Sequence, residues 1–230
     1  EHGGMIIGGE YFSNGPRIHE YLQEMNNEVL SKYDCMTVGE TPGASVDDAV
    51  LYTGENRGEL NMCFQFELMG IDTDGDKWNI KPWKLSDMKR VITKWQLGLA
   101  DKAWNSLYLS NHDQPRCVSR FGDDKEYRKL SATLLATMNH TLQGTVYVYQ
   151  GEEIGMTNVQ FDISDYKDLE ILNFWRDQVL TGKFDKEKAI RAIHYIGRDN
   201  ARTPMQWNNS CNAGFTTGTP WIKVNPNYTK

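Results

Sequence analysis

The sequence predicts an α/β fold with a parallel sheet, arranged as half of a (β/α)8 TIM barrel. Three observations lead there. Short apolar runs that read as strands alternate with helical runs, and such alternation argues for parallel strands joined by right-handed crossovers. Two of the strand-like runs end in carboxylates: Glu40 closes residues 36–40 and Asp113 closes residues 107–113. These acids lie 73 positions apart, which is about two strand–helix units of such a barrel. The repeat stops after Gly151, so the chain supplies four strands where a closed barrel needs eight.

The elements follow in order. Residues 1–15 are glycine-rich and loop-like. Pro16 suits the first turn of a helix. Ile18, Tyr21, Leu22, Met25, Val29 and Leu30 continue it at helical spacing to about Tyr33. Cys35 to Gly39 reads as a strand, broken by Glu40-Thr41-Pro42-Gly43. Residues 44–59 are polar, with a helical turn near Val46 to Leu51. Leu60 to Leu68 is the second strand. The loop carrying Asp72, Asp74, Gly75 and Asp76 resembles a calcium loop in composition only. It lacks the ligand spacing and terminal Glu of an EF-hand, so no metal site is expected.

Ser86 can cap a helix that carries Met88, Val91, Ile92, Trp95 and Leu99. Leu107 to Ser110 is the third strand, leading into Asn111-His112-Asp113. A helix over about 125–142 presents Leu130, Leu134, Leu135 and Met138, and Gly144 can end it. Thr145 to Tyr149 is the fourth strand, rich in β-branched and aromatic residues. The chain thus divides into a barrel half (1–155), a helical excursion after the last strand (156–196) and an irregular segment returning to the barrel (197–230).

Composition narrows the function. A chain of 230 residues can bury one sizeable core. The formal net charge is -6 and no basic cluster occurs, which argues against a nucleic-acid partner. No apolar run has the length of a membrane span, so no membrane partner is expected. Glu1 in place of an initiator Met points to sequence lost upstream. Cys35, Cys63, Cys117 and Cys211 form no CxxC pair; Cys35 and Cys63 lie in or beside strand-like runs, as small reduced hydrophobes do. A cytoplasmic, reducing setting fits this usage. The sequons at Asn139, Asn208 and Asn227 are then chance matches.

The chemistry lies in the strand-end acids. Carboxylates at strand C-termini are the usual equipment for acid/base work on glycosidic bonds. An acid that protonates a leaving oxygen near neutral pH needs a raised pKa, which burial or a neighbouring carboxylate supplies. Three adjacent polar residues after an apolar strand, Asn111-His112-Asp113, need hydrogen-bonding partners, and sugar hydroxyls can serve. An ionised Asp113 would also stabilise an oxocarbenium-like sugar. A guanidinium from Arg198 or Arg202, in the polar knot at 198–202, can hold a carboxylate bidentately.

Four motifs in order extend this reading: MTVGETPG (36–43), YLSNHDQPR (108–116), YVYQGEEIGM (147–156) and RDNARTPMQW (198–207), followed by GFTTGTPWIKVNPNY (214–228). Together they closely resemble the α-amylase superfamily of glycoside hydrolases, in its oligo-1,6-glucosidase and α-glucosidase branch. The resemblance implies a (β/α)8 barrel with Glu40 as general acid/base. It implies Asp113 as the carboxylate that binds and distorts the reacting glucose, with His112 hydrogen-bonding the same sugar. Arg198 matches an arginine that binds that glucose, and Arg202 is a second candidate. Asp168 and Glu170 lie in the excursion that borders the acceptor subsite in that family. The implied substrate is a small oligosaccharide, cleaved with retention and without cofactor or metal.

The departure is the nucleophile. In that family it is an Asp closing the fourth barrel strand in a motif of the type GFRMD, which residues 1–230 lack. The run GPRIHEYLQEMN (15–26) resembles the helix just after that strand, so the four strands here would be numbers five to eight. The missing N-terminal barrel half would then belong to the same polypeptide. A retaining site needs a nucleophile roughly 5 Å from its acid/base. The isolated chain is accordingly expected to be inactive. Related readings are a sucrose isomerase, a trehalose-6-phosphate hydrolase, or a non-catalytic barrel homologue that accompanies transporters.

Overall fold

A computed structural model describes residues 13–229. Most of the loop expected over 1–15 therefore lies outside the described residues. In chain order the elements are α1 (Ile18–Glu28), β1 (Val38–Glu40), α2 (Val46–Thr53), β2 (Met62–Phe64), β3 (Thr73–Asp74) and β4 (Asp76–Ile80). There follow α3 (Leu85–Leu99), β5 (Ser106–Leu107), α4 (Cys117–Phe121), α5 (Arg128–His140), β6 (Thr145–Val146), α6 (Leu169–Phe174), α7 (Lys186–Ile196) and α8 (Asp199–Arg202). The chain forms two compact units.

The first unit comprises Glu1–Ile71, Trp83–Leu107 and Leu142–Thr145. Its centre is parallel, as expected. β1 pairs with β2 through Val38↔Met62, Gly39↔Cys63 and Glu40↔Phe64, and Cys63 bridges Asn105 in parallel. Thr145 N–H continues the row to Asn105 O at 2.9 Å. Helices α2 and α3 provide the crossovers. They pack so closely that a Cβ on Gly98 would lie 2.4 Å from Val46 Cγ1. Ser45 caps α2 through a capping box with Asp48, a start signal the sequence reading did not use. Glu59 is buried and fastens α1 by meeting His19 at 2.8 Å and accepting from Gln23 at 3.2 Å; Arg57 adds a third bond at 2.7 Å.

The second unit comprises Asp72–Pro82, Tyr108–Thr141 and Val146–Lys230. Its core gathers on α7, which buries Ala189, Ala192, Ile193 and Ile196. That spacing is one face of a helix. Asp185 caps it by accepting from Lys188 N–H at 2.8 Å. Trp78 of β4 stacks on Phe174 with ring centroids 4.4 Å apart. A π-helical turn over Trp175–Val179 ends α6, and α6 and α7 both lie within residues 156–196.

Several expectations need correcting. The strands are shorter than their apolar runs: the second spans only Met62–Phe64 before a 3-10 turn over Glu67–Gly70. Ser86 does not cap α3, because Lys84 holds the N-cap position. The aspartate-rich loop is an antiparallel β3–β4 pair. Asp72 there is buried in an ion pair with Arg120, at 2.6 and 2.7 Å. Leu130 and Leu134 of α5 point outward, at 67% and 68% exposure, while Leu135 is buried. Cys35 is exposed rather than strand-bound, although Cys63 is buried as expected.

Candidate active site

Asp113 sits in the turn that follows β5. Its N–H bonds Asn111 Oδ1 at 2.8 Å, an Asx-type closure that fixes the turn. His112 is exposed, and its Nε2 lies 3.5 Å from Asp113 Oδ2. Two arginines from the segment after α7 approach Asp113. Arg202 Nη2 donates to Asp113 Oδ1 at 2.5 Å, and Arg202 Nε donates to His112 O at 3.0 Å. Arg198 Nη1 lies 3.5 Å from the same Oδ1.

Arg198 makes its stronger bonds elsewhere. It grips Asp168 bidentately, Nε to Oδ2 at 2.9 Å and Nη2 to Oδ1 at 2.5 Å. Asp168 is buried and also caps α6, accepting from Glu170 N–H at 3.2 Å. Arg198 Nε lies 3.2 Å from Glu170 Oε2, and Lys77 Nζ of β4 donates to that same oxygen at 2.5 Å. Three acids and three cations thus interleave within the second unit, and the cluster has no formal excess charge. Burial alone would raise the Asp168 carboxyl, but the bonds from Arg198 and Glu170 N–H, with the charges of Arg198 and Arg202, bring it below its ordinary value. Arg198 is raised in turn, chiefly by its hydrogen bond to Asp168.

The second unit therefore brings together Asp113, His112, Asp168, Glu170, Arg198 and Arg202. Glu40 belongs to the first unit. It ends β1 with its side chain exposed, beside a hollow of ≈ 720 Å³ lined in part by Ser13, Tyr21, Pro42 and Leu60. The backbone is tight there: a Cβ on Gly39 would meet Leu60 Cδ1 at 2.7 Å.

Sequence reasoning missed residues that bond to the same motifs. Arg116 is almost fully buried and ties three motifs together. Its guanidinium binds the carbonyls of Gln150 and Asn200, the latter at 3.0 Å, and reaches Thr203 Oγ1 at 3.4 Å. Ser110 donates to the Glu152 carboxyl, which also accepts from Tyr149 N–H at 3.3 Å. Asp199 accepts from Lys167 N–H at 2.6 Å and Asp168 N–H at 3.0 Å. Lys77 was also overlooked. The available signal was the placement of Arg116, Glu152 and Asp199 inside the quoted motifs, where a charged residue beside an apolar strand needs partners.

The parallel pairing of β1 with β2, crossed over by a helix and with Glu40 closing β1, is the strand–helix arrangement of an α/β scaffold. Residues 5–230 match the catalytic domain of alpha amylase, and the chain belongs to that family. It is 62% identical over 223 residues to an oligo-1,6-glucosidase of Parageobacillus thermoglucosidasius and 57% identical over 230 residues to one of Bacillus cereus. Those alignments cover 96% and 99% of this chain but only 40% and 41% of the relatives. Among solved structures, trehalose-6-phosphate hydrolase of Bacillus licheniformis superposes with a TM-score of 0.90 at 49% identity. Isomaltulose synthase of Erwinia rhapontici does so at 0.91 and 45%. Each match covers 96% of this chain and 40% of the other. No helix among the described residues is long and apolar enough to cross a membrane.

Proposed function

We propose that the intact protein hydrolyses terminal α-glucosidic bonds of short oligosaccharides with net retention, as an oligo-1,6-glucosidase or α-glucosidase. The carboxylate–guanidinium cluster around Asp113 carries this reading. Two arginines fix one oxygen of Asp113, and the carboxylate is left part-exposed beside His112. That arrangement suits a group that accepts hydrogen bonds from sugar hydroxyls and faces a developing positive charge. Glu40 serves as general acid and then as base: it protonates the leaving oxygen, then takes a proton from the attacking water. His112 donates to the same sugar. Arg198 and Arg202 orient Asp113 and border the pocket. Asp168, being buried, acts through Arg198, while Glu170 faces the acceptor side with Lys77.

The nucleophile is an Asp supplied by a further part of the same polypeptide. In this reading residues 1–155 are the second half of a (β/α)8 barrel, strands five to eight. Residues 156–196 are the excursion after the last strand, and residues 197–230 return to the barrel. The coverage of about 40% of each relative supports the reading that further sequence completes the barrel. Cys63 and Cys117 serve as buried core side chains, which supports a reducing, cytoplasmic setting.

The specificity rests on relatedness: identity is 62% to an oligo-1,6-glucosidase and 48% to a Bacillus subtilis trehalose-6-phosphate hydrolase. The test uses the complete polypeptide with isomaltose, maltose, sucrose and trehalose 6-phosphate. Isomaltose should be cleaved with α-glucose released first, as NMR would show. Asp113→Asn should lower kcat/KM by roughly 10²–10³-fold. Conversion of sucrose to isomaltulose would place the protein with the isomerases instead. Turnover of none of the four would make it a non-catalytic homologue.

A further inference from the structure

We infer that Asp199 is a positioning residue: by holding the backbone at Lys167 and Asp168 it sets the Asp168–Arg198–Asp113 clamp. Asp199 is completely buried. Its Oδ2 accepts two backbone N–H groups, from Lys167 at 2.6 Å and Asp168 at 3.0 Å. Its Oδ1 is buried with no hydrogen-bond partner. A buried carboxylate with an idle oxygen is a costly way to bind two amides, since an Asn or Ser could do so without burying a charge. Helix signalling does not account for it, because α8 is only four residues long.

What the charge provides is stronger, shorter bonds to one peptide turn. That turn presents Asp168, whose two oxygens receive the Arg198 fork at 2.9 and 2.5 Å. Arg198 and Arg202 then converge on Asp113 Oδ1, at 3.5 and 2.5 Å. Asp199 touches none of the groups assigned to the sugar. Its neighbour in sequence, Arg198, is the residue it positions, reached through the backbone of the segment opposite. A bidentate pair needs its carboxylate plane fixed, and a tilt at Asp168 would be passed directly to Arg198.

This rests on the glycosidase reading, so the test has an arm that does not. In the complete polypeptide, Asp199→Ala should lower kcat/KM for isomaltose about 10–100-fold, the loss a displaced site group gives. Asp199→Asn, which keeps one acceptor oxygen but not the charge, should recover part of that loss. In an Asp168→Ala background, Asp199→Ala should cost no more than about 3-fold, because both changes break one chain of contacts. Losses that multiply in the double variant would overturn the inference, as would an Asn variant no better than Ala. The second arm is hydrogen exchange of the peptide carrying Lys167 and Asp168. Faster exchange confined to that peptide in Asp199→Ala is expected, and unchanged exchange would overturn the inference. If the wild-type polypeptide cleaves no α-glucoside, the glycosidase reading fails and the exchange arm alone decides.

Discussion

Buried ionic groups carry much of the second unit, and they respond to substitution in opposite ways. Arg120 and Asp72 are both fully enclosed, 2.6–2.7 Å apart, with Tyr195 Oη also donating to Asp72 at 2.9 Å. Removing one partner strands the other charge in a medium that cannot solvate it. Arg120→Met should therefore cost about 3–5 kcal/mol, read as a lowered denaturation midpoint. A loss under about 1 kcal/mol, the exposed-pair range, would mean water reaches Asp72. Glu152 behaves differently. Burial, its largest perturbation, lifts its pKa, and the bonds from Ser110 and Tyr149 only partly oppose this. A carboxyl raised in the folded state favours folding in its neutral form. Its contribution is therefore best below the ordinary value of about 4.3 and declines as pH rises through the folded value. The Tm of Glu152→Gln relative to wild type should become more favourable from acid to neutral pH. A difference that stays flat with pH would show that Glu152 does not titrate on folding. Asp168 has the opposite sign: its depressed pKa adds stability above the ordinary carboxyl range, lost as pH falls through the folded value.

Elements in this chain are placed by their ends as much as by their faces. α2 begins where Ser45 Oγ accepts from Asp48 N–H at 3.1 Å while Asp48 accepts from Ser45 N–H at 2.8 Å. Ser45→Ala should destabilise the fold by about 1 kcal/mol, seen in chemical denaturation, and Ser45→Asp should restore most of it. The faces are less complete. α1 has no buried residue despite its helical apolar spacing, and α5 buries only Leu135 and Asn139. A helical period in sequence reports which side is apolar, not whether anything covers it. The strands are shorter than their apolar runs for a related reason. An apolar run such as Leu60 to Leu68 holds a three-residue ladder and then a 3-10 turn, because burial and backbone pairing are separate demands that composition does not separate.

At the scale of the whole molecule the chain spans about 40% of the relatives it matches. Among the described residues Leu85, Leu97, Leu130, Leu134, Leu169 and Leu180 are each more than 60% exposed. Isolated exposed leucines are ordinary, but six on a chain of this length would favour self-association when it is made alone. The 230-residue chain, purified by itself, should give no measurable turnover of isomaltose, because no nucleophile of the expected type is present to form a glycosyl-enzyme. Wild-type-like turnover by that chain would refute the placement of the nucleophile outside it.

The sequence alone determined the alternation of strands and helices, the family, and the acid Glu40 at the end of a strand, while Asp113 lies in a turn six residues beyond β5. These are local or motif-borne: periodicity shows in a window of a dozen residues, and the acids stand inside contiguous motifs. It also placed Arg198, Arg202, Asp168 and Glu170 among the candidates, but not their pairing. Only the tertiary structure decided that Arg198 grips Asp168, that Lys77 shares Glu170, and that Arg116 ties Gln150 to Asn200 and Thr203. Those partners lie between 30 and 93 positions apart. Which charges meet across such separations is set by how the intervening elements pack, and desolvation then makes each buried charge depend on its partner.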